Sequence, residues 1–224
     1  MKAAEYFKPL TEELKANSNP ENAAYMKAYL KDRFELFGLK QQPRRDIFNA
    51  FVKKNGLPEF GEMNGCLKWL IEQPQREYDY CAIELLLKTK RKWDDSLIEH
   101  GVYLITHNSW WDTVDLIATN VIGAYLKKNP HLIMEYVPQW INSDNMWLNR
   151  TAIIFQLKYK TDTSTYWLTE SIIPHLESKE FFHQKAIGWA LRQYSRHNPE
   201  WVFDFANQHI LKPLSRREAL RLID

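Results

Sequence analysis

Apolar residues recur along the chain at spacings of three and four, as in Ala82-Ile83-Leu86-Leu87 and Ile153-Ile154-Leu157. That period predicts helix after helix. No stretch alternates strictly with β-branched residues, and Asn64-Gly65 lies between helical segments rather than strand-like runs. Asn-Pro pairs at Asn19-Pro20, Asn129-Pro130 and Asn198-Pro199 mark helix starts. Asn caps the free N–H groups, and Pro suits the first helical position. Ser215-Arg216-Arg217-Glu218 reads as a capping box.

The pattern repeats. EYDYCAIELLLKTK, MWLNRTAIIFQLKYK and FFHQKAIGWALRQYS align on Ala82, Ala152 and Ala186, and the register extends to Phe48, Leu116 and Ala219. The intervals in chain order are 34, 34, 36, 34 and 33 residues. Pro138 and Pro174, 36 apart, fall in the preceding helix of two successive units, where a proline bends the helix. The expectation is an all-α solenoid of about six HEAT-like helix pairs, residues 1–224 forming one repeat domain with a concave face.

The register sorts faces. At 100° per residue, positions 0, +1 and +5 from each anchor are mostly apolar and point to the core. Positions −5, −1 and +3 lie roughly opposite: Trp111, Asp115 and Thr119, then Trp147, Thr151 and Phe155, then Phe181, Lys185 and Trp189. A stripe rich in tryptophan, with one carboxylate and one lysine, is therefore expected on the face turned from the core.

Composition narrows the function classes. The chain has 224 residues, 45% hydrophobic and 26% charged, which excludes disorder. Only 7 are glycine, and no G-x-G-x-x-G or G-x-x-x-x-G-K-[ST] occurs, which disfavours dinucleotide and P-loop sites. Cys66 and Cys81 make no C-x-x-C, and the seven His show no H-E-x-x-H, so neither a disulfide scaffold nor a metal site is expected. Without an apolar leader or an 18-residue apolar run, the expected setting is the cytoplasm, with no membrane association. Net charge is +2, but 11 Lys and Arg stand against 7 Asp and Glu between Arg150 and Arg221. That local excess suits an anionic partner such as nucleic acid.

Trp111 and Asp115, at i and i+4, are neighbours on one helix surface. Indole faces around a carboxylate suit a cation, whether a sugar becoming an oxocarbenium ion or a positively charged alkylated base. Arg150 and Lys185 are placed to hold phosphates, within a basic series that continues through Arg192, Arg216, Arg217 and Arg221. Each residue also has a structural reading. Trp147 and Phe155 read as packing between units, Asp115 alone as a solvated or capping carboxylate, and Arg150 alone as the partner of a carboxylate on the next helix. A helical scaffold whose groove binds DNA or protein without chemistry stays open.

Ser109-Trp110-Trp111-Asp112-Thr113-Val114-Asp115, Ser143 to Ala152, Phe155 to Lys160 and Ser178 to Trp189 resemble the AlkD family of DNA alkylation repair glycosylases, and the similarity runs from Asn19 to Ala219. The resemblance implies a HEAT-like fold that grips duplex DNA and excises cationic bases such as 3-methyladenine and 7-methylguanine, with no metal or cofactor. It implies Trp111, Asp115 and Trp189 as the catalytic set, Arg150 as a DNA-backbone contact and Tyr29 near the lesion. Lys40 stands where the family's DNA-contacting loop has Gln. The expected partner is double-stranded DNA with alkylated bases, the expected enzyme a monofunctional glycosylase, and the expected state a monomer.

Overall fold

The computed structural model describes residues 2–223, which form helices and their connections with no strand among them. The expected all-α class is the one the chain adopts. Two compact units divide it, residues 1–100 and 101–224.

The first unit holds α1 (Ala3–Ala16), α2 (Pro20–Tyr29), α3 (Gln41–Asn55), α4 (Met63–Ile71) and α5 (Arg76–Lys88), and α6 (Ser96–Thr106) spans the boundary. Its core gathers Phe7, Leu10, Leu14, Phe48, Met63, Leu67, Leu70, Leu85 and Leu86, all wholly buried. The Asn19 side chain caps α2 by accepting from the Asn22 amide. The buried Glu77 carboxylate accepts from the amides of Phe37, Gly38 and Leu39 at 2.9–3.1 Å, fixing the loop before α3. Gly38 there has φ +85°, and a Cβ would fall 2.0 Å from the Asn19 carbonyl oxygen, so no other residue fits.

The second unit holds α7 (Trp111–Leu116), α8 (Gly123–Lys128), α9 (Ile133–Ile141), α10 (Met146–Ile154), α11 (Thr165–Ile172), α12 (Phe181–Ser195), α13 (Pro199–Gln208) and α14 (Pro213–Ala219). Ala118, Ile153, Ile154, Ile172, Ala186, Ile187, Leu191, Val202 and Ala219 share one apolar cluster. Asn198 caps α13 through the Trp201 amide. Asn129 makes no such cap, and its amide donates back to the Tyr125 carbonyl instead. The capping box is also corrected. α14 starts three residues earlier, at Pro213 with Lys212 as its N-cap. Ser215 is thus inside the helix, where its hydroxyl donates to the Gln184 carbonyl and Glu218 turns to cations of α12.

Between α7 and α8 the helix does not stop: residues Ile117–Ile122 form a π-helix. The buried pairs along it are Thr113-Val114, Ile117-Ala118, Val121-Ile122 and Tyr125-Leu126, strictly four apart. An α-helix turns 400° in four residues, so its buried stripe would drift by about 40° at each step. The wider π turn, closed from i to i+5, counters that drift and keeps the stripe on the core. This corrects the repeat register. The anchors Phe48, Ala82, Ala152, Ala186 and Ala219 are buried, but Leu116 is 40% exposed and Ala118 takes the buried place.

Candidate functional site

Asp115 lies next to the end of α7, just before the π turn. A π turn interrupts the i to i+4 ladder, and two side chains supply donors there. The Thr119 hydroxyl donates to the Asp115 carbonyl at 2.8 Å, and the Asn120 amide donates to the Leu116 carbonyl at 3.0 Å. The backbone bearing Asp115 is thereby pinned from its own helix.

Its side chain is pinned from α10. Arg150 Nε donates to one carboxylate oxygen at 2.7 Å and Nη2 to the other at 2.8 Å. Such a two-point pair fixes both planes, which a lysine could not do. Arg150 Nη1 donates to the Phe182 carbonyl at 2.7 Å, at the start of α12. Three helices thus meet at one guanidinium. Trp110, Trp147 and Phe182 pack on one another with ring centres 4.8–5.8 Å apart, and the guanidinium stands 5.8 Å from the Phe182 ring. The Arg150 side chain is 5% exposed, while the Asp115 side chain keeps 17%. Arg150 is the buried end of the pair and Asp115 the end that faces out.

Asp115 faces a cleft of about 320 Å³, lined also by Leu116, Thr119, Asn120, Leu157, Lys158, Trp189 and Gln193. The structure therefore brings Asp115, Arg150 and Trp189 together. Trp111, one turn before Asp115 and half-buried, is not among the lining residues.

The expected outward stripe is only partly outward. Thr119, Thr151 and Phe155 are buried, and Trp147 joins the aromatic cluster under Arg150. The drift of an α-helical stripe over eight residues, together with the π turn, carries these positions inward.

The basic series divides in the same way. Lys185 and Arg192 both pair with Glu218 of α14, at 3.0 and 2.5 Å, and the two cations hold its carboxyl below the usual range, Lys185 foremost. Arg216 donates to the Ala206 carbonyl and to Asn207. Arg217 is exposed. Arg150, Lys185, Arg192 and Arg216 therefore hold helices together in this structure, because each meets an acceptor on another helix. In the first unit, Tyr29 is 66% exposed at the end of α2. Lys40 is exposed at the start of α3, on a cleft lined also by Asn17, Asn19, Leu39, Pro43, Asp46 and Ile47.

Sequence reasoning missed Trp110, Phe182, Asn120 and Lys158. The doubled Trp110-Trp111 held a signal for the first, since adjacent helical residues face about 100° apart and only one can share the Asp115 face. Among the described residues no three His, Cys, Asp or Glu gather as metal ligands, and no helix is long and apolar enough to cross a membrane.

The second unit presents an ion-paired carboxylate and an indole at one cleft in an all-α repeat protein. The sequence matches the family described as DNA alkylation repair enzyme over residues 10–223, and the chain belongs to that family. A solved structure, the predicted DNA alkylation repair enzyme from Enterococcus faecalis, is 30% identical. The match has a TM-score of 0.86 and covers 92% of this chain and 96% of that one. No curated protein matches.

Proposed function

We propose that this family member is a monofunctional glycosylase that releases cationic N-alkylated purines, 3-methyladenine and 7-methylguanine among them, from duplex DNA. The observation that carries the reading is the Asp115 carboxylate, clamped from behind by Arg150 and open to a cleft that Trp189 also lines. In this reading Asp115 is the catalytic carboxylate, Trp189 the aromatic face that shares its cleft, and Trp111, one turn earlier on α7, the third member of the set. The C1′–N bond breaks with its electron pair leaving on the purine, which becomes neutral. No acid is needed to protonate it, so one carboxylate suffices. C1′ is left as an oxocarbenium ion, stabilised by the fixed negative charge and the ring quadrupoles. Water adds to C1′ and loses its proton to solvent, giving an abasic site.

Arg150 orients the carboxylate and blocks its rotation, and two of the carboxylate's roughly four lone-pair sites remain for the cleft. Tyr29, Lys40 and Arg217 belong to the DNA contacts in this reading, with residues 1–224 as one repeat domain, a monomer in the cytoplasm. Lys185, Arg192 and Arg216 contact DNA with the donors that the partners described above leave over.

The test is incubation with N-methylated duplex, followed by chromatography of released base and alkaline cleavage of abasic sites. Free methylated purine with strand scission only after alkali is expected. Duplex bound without base release would establish the scaffold reading instead, and a borohydride-trapped covalent adduct would exclude the monofunctional mechanism.

A further inference from the structure

Four cations of the second unit that sequence places toward DNA are held by acceptors of the protein itself: Arg150 by Asp115, Lys185 and Arg192 by Glu218, and Arg216 by Ala206 and Asn207. None of the four is among the residues that line the cleft at Asp115, which needs a positive charge of its own to meet a polyanion. One of its lining residues supplies it. Lys158 lies on the turn after α10, exposed, and is the cation among the cleft-lining residues. Its ammonium donates to the Asn120 side-chain oxygen, a neutral acceptor.

Asn120 holds it without cancelling its charge. The Asn120 amide nitrogen donates to the Leu116 carbonyl at 3.0 Å and to the Thr119 hydroxyl at 3.1 Å, which turns the amide oxygen toward Lys158. The π turn that pins the Asp115 backbone therefore also sets the lysine. An ammonium has three donors, so two remain for an incoming acceptor. Asp115, whose own charge is balanced by Arg150, does not compete for it.

We infer that Lys158, held by Asn120, is the phosphodiester-binding residue of the Asp115 cleft. It would hold a backbone phosphate beside the nucleotide whose sugar Asp115 faces. The inference rests on the reading of the cleft as a glycosylase site, and it adds a phosphate subsite that the sequence pattern did not single out.

The experiment measures binding of a short undamaged duplex across a salt series for the wild type, Lys158→Gln and Lys158→Arg, with base release from methylated duplex run in parallel. Each phosphate neutralised contributes a slope of about −0.9 in log K against log salt. Lys158→Gln is expected to lose about 0.9 from the slope and Lys158→Arg to keep it. Because the side chain is exposed, both variants should melt with the wild type. A third arm replaces chloride with inorganic phosphate at constant ionic strength. Equal displacement of duplex by both anions is expected. Displacement peculiar to phosphate and absent in Lys158→Gln would mark a free-phosphate site and overturn the backbone assignment. If the wild type releases methylated bases but Lys158→Gln keeps the full slope, the inference fails and the proposed function stands. If the wild type neither binds duplex nor releases base, both fail.

Discussion

Asp115→Asn and the double variant Asp115→Asn/Arg150→Gln separate the electrostatic role of the carboxylate from its structural one. Consider a cationic C1′ about 4 Å from the carboxylate, with the guanidinium behind it about 4 Å further. At an effective dielectric near 20, the carboxylate attracts the cation by about 4 kcal/mol and the guanidinium repels it by about 2 kcal/mol. The pair therefore favours the cation by about 2 kcal/mol. Asp115→Asn removes the attraction and leaves the repulsion from the buried guanidinium. The barrier rises by about 4 kcal/mol, a loss of ~10³ in rate. The double variant removes both charges and loses only the net ~2 kcal/mol, so it should run ~30-fold faster than the single variant and ~30-fold slower than the wild type.

Stability changes in the same direction and has to be kept apart. Leaving Arg150 buried without its carboxylate costs ~3–5 kcal/mol. The assay is therefore single-turnover base release with enzyme in excess, at a temperature where circular dichroism shows all three proteins folded. A double variant no faster than Asp115→Asn, with both folded, would refute the electrostatic argument. Asp115→Asn rates within a few-fold of wild type would leave Asp115 a purely structural partner of Arg150.

Arg150→Ala should lower the melting temperature by an amount equivalent to ~3–5 kcal/mol while leaving the salt slope of duplex binding unchanged, since its donors are engaged by Asp115 and Phe182; a slope reduced by ~0.9 would show that it holds a phosphate after all. His175 and His183 pack 4.7 Å apart with both Nε2 atoms buried and unpartnered, and burial, with the His183 charge second, holds His175 down at about 4. His183 is also lowered, by burial first and by Arg150. Their folded values lie below the unfolded value near 6.5, so their contribution is complete above pH 6.5 and is lost as pH falls toward 4; thermal melts between pH 7.5 and 4.5 should show the midpoint dropping, and less so in His175→Phe. Gly188→Ala would place a Cβ 2.5 Å from the Glu218 Cβ and 3.0 Å from the Ser215 carbonyl, so α14 must shift and the melting temperature fall; an unchanged melt would mean that this helix contact is loose.

The local pattern determined the helices, two of the three Asn-Pro starts by side-chain caps, and five of the six repeat anchors. These depend on period and on residues within four positions of one another, and a sequence carries such information directly. It also placed Asp115 and Trp189 on related faces, because a repeat near 34 residues returns each helix to the same orientation. What it could not determine was which charge meets which. Arg150 is a backbone contact or a carboxylate's partner depending on whether Asp115, 35 residues away, lies 2.7 Å from it, and no period encodes that distance. Glu218 reads as the end of a capping box until α14 starts at Pro213 and turns that carboxylate toward α12. Leu116 reads as core until the π turn carries Ala118 there in its place. In each case a polar or geometric demand in one helix is met by a neighbour brought up through packing, so tertiary structure alone decided whether a cation was left for DNA.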